Sequence, residues 1–315
     1  MLGRGVAGRL TEVAPEDLWA PELRDLCRSC DLVICNLECC ISDRGAPTHR
    51  LRGKPFFFRA PPAAVGSLRA IGVRAVGLAN NHALDFGTDS LADTLELLAE
   101  AGIAVAGAGR DRAGARRAAI VMAGATRVAL VAASDHPLEF AAGPDAPGIA
   151  YAELRDRVPD WLSTELARAR GEAELVVAFP HWGPNMTRQP AAWQLRAAVE
   201  MQDAGADLVA GHSAHVFHGA GWGERGPLLY DLGDALDDYA VDATLRNDLG
   251  VLAIWRPGHS DAELEAVGLA LDYCHTRLAG GEEAEWIARR LEQACPPLGS
   301  RVERVGEQRF RLARA

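Results

Sequence analysis

The chain has 315 residues and a formal net charge of -10, with 49% hydrophobic and 24% charged residues. That balance suits a globular protein large enough for one big α/β domain or two smaller ones. The acidic excess argues against a general nucleic-acid binder, and no apolar run approaches the roughly 18–20 residues that span a bilayer.

The segment from Met1 to Val6 reads as a glycine-rich loop, and Met1 to Leu10 has no apolar stretch of a secretory signal, so the expected compartment is the cytoplasm. Residues 15–29 read as a helix opened by Pro15. Residues 31–37 are a buried-strand pattern ending at Glu38. Residues 42–60 are loop-like, and 61–71 are a helix. A strand from Val73 to Leu78 leads through Ala79-Asn80-Asn81-His82-Ala83-Leu84-Asp85-Phe86-Gly87 into a helix, with Thr88 as expected N-cap and Leu91, Leu95 and Leu98 on one face. A short strand at 103–106 is followed by a hairpin of 118–122 with 127–132, after which comes Ser134-Asp135-His136-Pro137. Next come a loop at 139–150, a helix at 153–169 and a strand at 175–179 ending in Pro180-His181-Trp182-Gly183. A helix at 192–204 precedes a strand at 207–210 that ends in Gly211-His212-Ser213-Ala214-His215. Strands at 228–232, 251–255 and 266–271, a helix at 282–293 and a tail strand complete the expected order. With no repeat and no low-complexity linker, a single domain over 1–315 is expected, with 255–315 an extension of it.

Seven cysteines are present, five of them between Cys27 and Cys40. Cys27-x-x-Cys30 with Cys35 has the residues of a zinc or redox site. A helical pair and a strand thiol are poor partners, so reduced, packed thiols are expected.

Four apolar runs end in a polar side chain with ligand chemistry: Glu38, Asn81 with His82, His181, and His212 with His215. Strands that lie in one sheet and point the same way bring such ends to one edge. There, imidazole, carboxylate and amide oxygen can gather around a metal, and a mixed N/O set suits Mn, Fe or Zn better than Ca. Turn formation by Asn80 and Asn81, with His82 as a helix cap, competes with that reading at the single loop but not across four strand ends.

Asn36-Leu37-Glu38, the 78–87 stretch, His181-Trp182-Gly183 and Gly211-His212-Ser213-Ala214-His215 occur in the order found in the CapA-type poly-γ-glutamate biosynthesis family, which this chain resembles from Met1 to about Asp234. That family lies in the calcineurin-like metallophosphoesterase superfamily. The resemblance implies a four-layer αββα sandwich of two mixed β-sheets flanked by helices, with up to two divalent metals between the sheet edges. It implies Glu38 as bridging carboxylate, Asn81, His181 and His212 on one metal, and His215 on the other. It implies His82 as general acid or transition-state stabiliser, with Asp85 orienting it or supporting the turn.

Two positions depart from the family pattern. The Gly-Asp that opens its first motif would precede Met1, so the first strand and its metal-binding Asp are missing; the expectation is a start placed too late, the alternative a chain that holds one metal firmly and one weakly. Leu232-Gly233-Asp234-Ala235 stands where the family often has Leu-Gly-Asn-Phe.

The function expected is a metal-dependent hydrolase in which metal-activated hydroxide attacks a phosphoester or a γ-glutamyl amide. The alternative is a non-catalytic assembly or binding protein for an anionic polymer such as poly-γ-glutamate.

Overall fold

The computed structural model describes residues 1–49, 51, 53–258 and 263–315. Positions 50 and 52 of the expected 42–60 loop, and 259–262 near the C-terminal strands, lie outside the described residues. The fold is mixed α/β, with several sheets and eight α-helices among the described residues.

Three sheets matter for the site. The first has Val33–Asn36, Val73–Gly77 and Ala104–Ala106 in that order, all parallel. The second runs Ala220–Trp222, Pro227–Leu229, Leu208–Ala210, Leu175–His181, Thr126–Ser134, Ala119–Ala123. Its four central strands are parallel and both edges antiparallel, the last being the expected hairpin. The third is antiparallel and joins Leu249–Arg256, Glu263–Asp272, Arg309–Arg314 and Ser300–Arg304.

Parallel strands in one sheet put their C-terminal ends on one side, which is why Glu38 and Asn80 leave the first sheet together and Ser134, His181 and Gly211 leave the second together. One apolar cluster joins Ala75 and Ala106 of the first sheet, Val128, Leu130 and Phe179 of the second, and Val251 and Ala266 of the third. The opposite face of the second sheet packs on Leu162 and Leu166 of helix Asp160–Glu172 and Ala197 and Met201 of helix Ala192–Asp203. The far face of the first sheet is covered by Leu23, Leu68 and Leu91, each from a different helix. Burying one such leucine contributes about 1.5–3 kcal/mol.

Gly77 sits where the sheets approach closest. A Cβ there would lie 2.5 Å from Phe179 Cδ1. Gly77→Ala is therefore expected to cost about 1–3 kcal/mol by overpacking, read as a lower urea midpoint at unchanged slope.

Some boundaries differ from the sequence expectation. The opening segment is the helix Arg4–Arg9, not a loop. Leu2, Val6 and Leu10, four residues apart, are buried on one face, and that burial outweighs the weak helix propensity of Gly5 and Gly8. The helix expected from 153 begins at Asp160, after Pro159, because a proline inside the helix would remove a hydrogen bond and clash. Gly87, with φ 87°, is the N-cap in place of Thr88, the first helical residue of Thr88–Glu100. That helix ends in a Schellman turn: Gly102 has φ 72° and the Ile103 amide bonds Leu98 O at 2.9 Å.

All seven cysteines are free thiols. Burial, with Cys30 nearby, pushes Cys27 up to about 11, and burial pushes Cys39 up to about 12. At pH 8 roughly one Cys27 in a thousand is thiolate. Iodoacetamide at pH 8 is expected to leave Cys27, Cys39 and Cys40 unmodified in the folded protein and to modify all seven in guanidinium, counted by intact mass.

Candidate active site

The Asn-Asn-His loop is built by its own first asparagine. Asn80 Oδ1 accepts the His82 amide at 3.0 Å, while Asn80 Nδ2 donates to Asn36 Oδ1 at 3.0 Å and Leu37 O at 2.8 Å. Asn80 thus closes the turn and ties it to the end of the neighbouring strand. Asn36 Nδ2 in turn holds Glu38 Oε2 at 3.0 Å. On the second sheet, His181 and His212 face each other as a parallel bridge, with the Trp182 amide on His212 O at 3.0 Å and the His212 amide on Pro180 O at 3.1 Å. Gly211 is required there: a Cβ would stand 2.3 Å from Trp182 Nε1, which donates to Tyr230 O at 3.0 Å. Ser213 (φ 131°) and His215 (φ 60°) hold left-handed backbone, a strained conformation for non-glycine residues that clusters at functional sites.

The structure places several of the side chains expected from the sequence in pairs. His82 Nε2 is 3.9 Å from Glu38 Oε1. The His181 and His212 rings are 5.0 Å apart between centroids. His82 Nδ1 meets Asp85 Oδ2 at 2.6 Å, so Asp85 is the partner of His82. The His82 ring stacks on Phe58 at 3.8 Å, which settles its plane.

The polar atoms left without a hydrogen-bond partner report on a ligand. Among them are Glu38 Oε1, Asn81 Oδ1 and both ring nitrogens of His181 and of His212. Each such buried atom costs about 1–3 kcal/mol when nothing pairs with it. Burial, reinforced by neighbouring imidazoles, pushes His181 well below its usual range, and burial pushes His212 down to about 3. Both are neutral near pH 7 with lone pairs to donate, the form a metal takes. Carboxylate, amide oxygen and neutral imidazoles are a donor set that fits a divalent transition metal. Among the described residues, no three His, Cys, Asp or Glu side chains already stand in ligand geometry. Asn81 is outside that set of residue types.

His215 is placed differently. Its Nδ1 lies 3.0 and 3.1 Å from the Asp234 carboxylate oxygens. Although burial lowers it, the Asp234 charge and hydrogen bond win and raise it to about 10. At that value the ring is an imidazolium, so His215 could take a metal only by giving up its Nε2 proton. Asp234 therefore pairs with the histidine, in the manner of a carboxylate that orients a ligating imidazole. Burial raises the neighbouring Asp231 to about 7 and Asp237 to about 8, the latter also through Asp234.

Two further residues were not anticipated. Lys54 places its ammonium 2.6 Å from Asp85 Oδ1; a lone lysine in a loop of irregular composition gives no sequence signal. Asp135 bonds His136 Nδ1 and accepts the Gly183 amide at 3.0 Å, setting His136 beside His181 at 5.0 Å between ring centroids. Its signal was its place at a strand end of the second sheet. A cavity of about 190 Å³ adjoins the site, lined by Asn36, Glu38, His212, His215 and Asp234 on its polar side. A larger surface cleft of about 660 Å³ around Trp286 and Arg289 is remote from these strand ends and holds none of the expected site residues.

The family model described as bacterial capsule synthesis protein PGA_cap matches residues 1–239, which includes every one of these side chains. A probable polyglutamine synthesis accessory protein of Mycobacterium tuberculosis is 31% identical over 293 residues, covering 86% of this chain and 74% of the relative. The capsule biosynthesis protein CapA of Bacillus anthracis is 28% identical over 215 residues, covering 67% and 51%. The PGA biosynthesis protein CapA of Bacillus subtilis is 27% identical over 240 residues, covering 76% and 61%. The chain spans about half to three fifths of the two Bacillus proteins. No helix among the described residues is long and apolar enough to cross a membrane. Matched over most of its length and through the whole site, the chain belongs to the PGA_cap bacterial capsule synthesis family, within the metallophosphoesterase-like superfamily.

Proposed function

We propose that this chain is a metal-dependent hydrolase acting on a phosphoester or γ-glutamyl amide bond, with the sheets and helices arranged as one four-layer αββα domain. The observation that carries the reading is the group of unpartnered buried atoms on Glu38, Asn81, His181 and His212. Those residues would hold one divalent cation (Mn, Fe or Zn), and Glu38 with His215 would hold a second. When bound, such a cation lowers the pKa of water to near 7 and neutralises charge on the scissile group. The chain's own residues do the rest. Asp85 accepts from His82 Nδ1, so a proton destined for the leaving group would sit on Nε2 of the protonated ring, which returns to the Nδ1–H tautomer when that proton is given up. The Phe58 ring covers one face of that imidazole and keeps water from it.

A second reading is favoured by the word accessory in the name of the Mycobacterium relative. There the same centre would bind an anionic polymer such as poly-γ-glutamate without cleaving it. Metal reconstitution with element analysis, followed by assays on bis-p-nitrophenyl phosphate and a γ-glutamyl peptide, separates the two. One or more metals per chain with turnover of either probe supports the hydrolase. Metal with polymer binding and no turnover supports the accessory role, and less than one metal per chain with no turnover ends the hydrolase reading.

A further inference from the structure

Lys54 lies in the loop between Ser42 and Phe58, yet its side chain is only 9% exposed. Burying an ammonium is unfavourable unless it is paired. Its pairing is specific. The ammonium stands 2.6 Å from Asp85 Oδ1, off the hydrogen-bonding direction, so this contact is an ion pair. It donates to the Asn81 carbonyl oxygen, and it lies 5.9 and 5.5 Å from the ring centroids of Phe57 and Phe140. The second carboxylate oxygen, Asp85 Oδ2, accepts the Phe58 amide at 2.6 Å and meets His82 Nδ1 at 2.6 Å. One cation thus touches the residue that partners His82 and the backbone of the residue that carries the amide donor.

We propose that Lys54 is a positioning residue: it clamps Asp85 and the Asn81 backbone so that Asp85 Oδ2 keeps His82 in the Nδ1–H tautomer, with Nε2 turned toward Glu38. The physical need is plain. Asp85 is fully buried, and with Lys54 gone its charge would rest, among the described residues, on the Phe58 amide and the His82 imidazole. The carboxylate would then draw the imidazole proton or turn toward another donor, and His82 would lose its fixed tautomer. Phe58 completes the arrangement, since its amide binds Asp85 while its ring stacks on His82. The loop is thereby fastened to the site at two neighbouring points, Lys54 and Phe58. The activity arm of the test rests on the hydrolase reading; the spectroscopic arm does not.

The experiment compares wild type, Lys54→Met and Lys54→Arg, each labelled with ¹⁵N-histidine. The His82 Nδ1 proton, held at 2.6 Å from a carboxylate, is expected as a protected low-field resonance, assigned by its loss in His82→Gln. Lys54→Met is expected to lose that resonance and Lys54→Arg to keep it. On an alkyl phosphodiester, whose alkoxide leaving group needs the proton, kcat of Lys54→Met is expected to fall about 10- to 100-fold, with KM within about twofold and metal per chain unchanged. Retention of the resonance and of kcat in Lys54→Met, with only the melting temperature lowered, overturns the proposal and leaves Lys54 a fastening of the loop. If Lys54→Met does not fold, Lys54→Gln decides, since its amide can still reach the Asn81 carbonyl. Loss of the resonance in that variant supports the proposal, and an unchanged resonance overturns it. If the wild type turns over no probe, the resonance alone judges Lys54, and the hydrolase reading fails separately.

Discussion

His212→Ala is expected to leave the protein folded, cut bound metal to less than half of the wild-type amount by element analysis, and lower phosphodiester hydrolysis by about 10³-fold or more, a barrier increase of ~4 kcal/mol. Both His212 nitrogens are buried and unpartnered, and burial keeps the ring neutral. The ring also packs on Phe179, with centroids 4.6 Å apart, so its removal subtracts a donor and one buried ring contact. Its backbone, which makes the bridge to His181, is untouched by the change. His218→Ala is the matched control. His218 is also buried and also pushed down, to about 4, but its Nε2 is 3.0 Å from Thr187 O. That variant is expected to keep its metal. Equal metal loss in both variants would remove the basis for distinguishing donors from packed histidines.

His82→Gln gives the second large effect, and a different one. Metal content is expected to stay at the wild-type level while kcat falls about 10²- to 10⁴-fold, the usual contribution of a positioned acid. Burial lowers His82, and the hydrogen bond and charge of Asp85 oppose that fall. The leaving group supplies the check. A nitrophenolate departs without protonation, whereas an alkoxide needs it. The loss should therefore be larger for an alkyl phosphodiester than for bis-p-nitrophenyl phosphate. An equal loss on both would assign His82 to binding or charge stabilisation.

The parts of the fold legible in the sequence were those with strong local signals. Val73 to Leu78 is buried and apolar except for the exposed Arg74, and became Val73–Gly77. The hairpin around Gly124 was marked by two apolar runs and a turn. The candidate residues were legible for a related reason: they stop apolar runs abruptly, but the strands lie in two parallel sheets rather than the one expected, with Glu38 and Asn81 leaving the first and His181 and His212 the second. What was not legible depends on distance. Lys54 reaches Asp85 through a loop with no periodic pattern, and Asp234 reaches His215 from a separate segment. The helix Arg4–Arg9 was hidden by glycines because the contact that rewards it, Gly3 against the Phe58 backbone, lies far along the chain. The cysteines show the converse. Their spacing suggested chemistry, and burial made them inert.

The donors leave two different sheets, and this fixes when the centre can come into being. Glu38 and Asn81 belong to the first sheet, while His181, His212 and His215 follow strands of the second that come only after residue 174. A growing chain that has completed the first sheet offers one carboxylate and one amide, too few to retain a cation. On the proposed metal-dependent reading, capture would therefore come late, after the second sheet has closed on the first, and would favour the finished fold over every earlier form by about 2.7 kcal/mol when free metal is a hundred times its dissociation constant. On the proposed metal-dependent reading, such a cation would act as a seal on maturation.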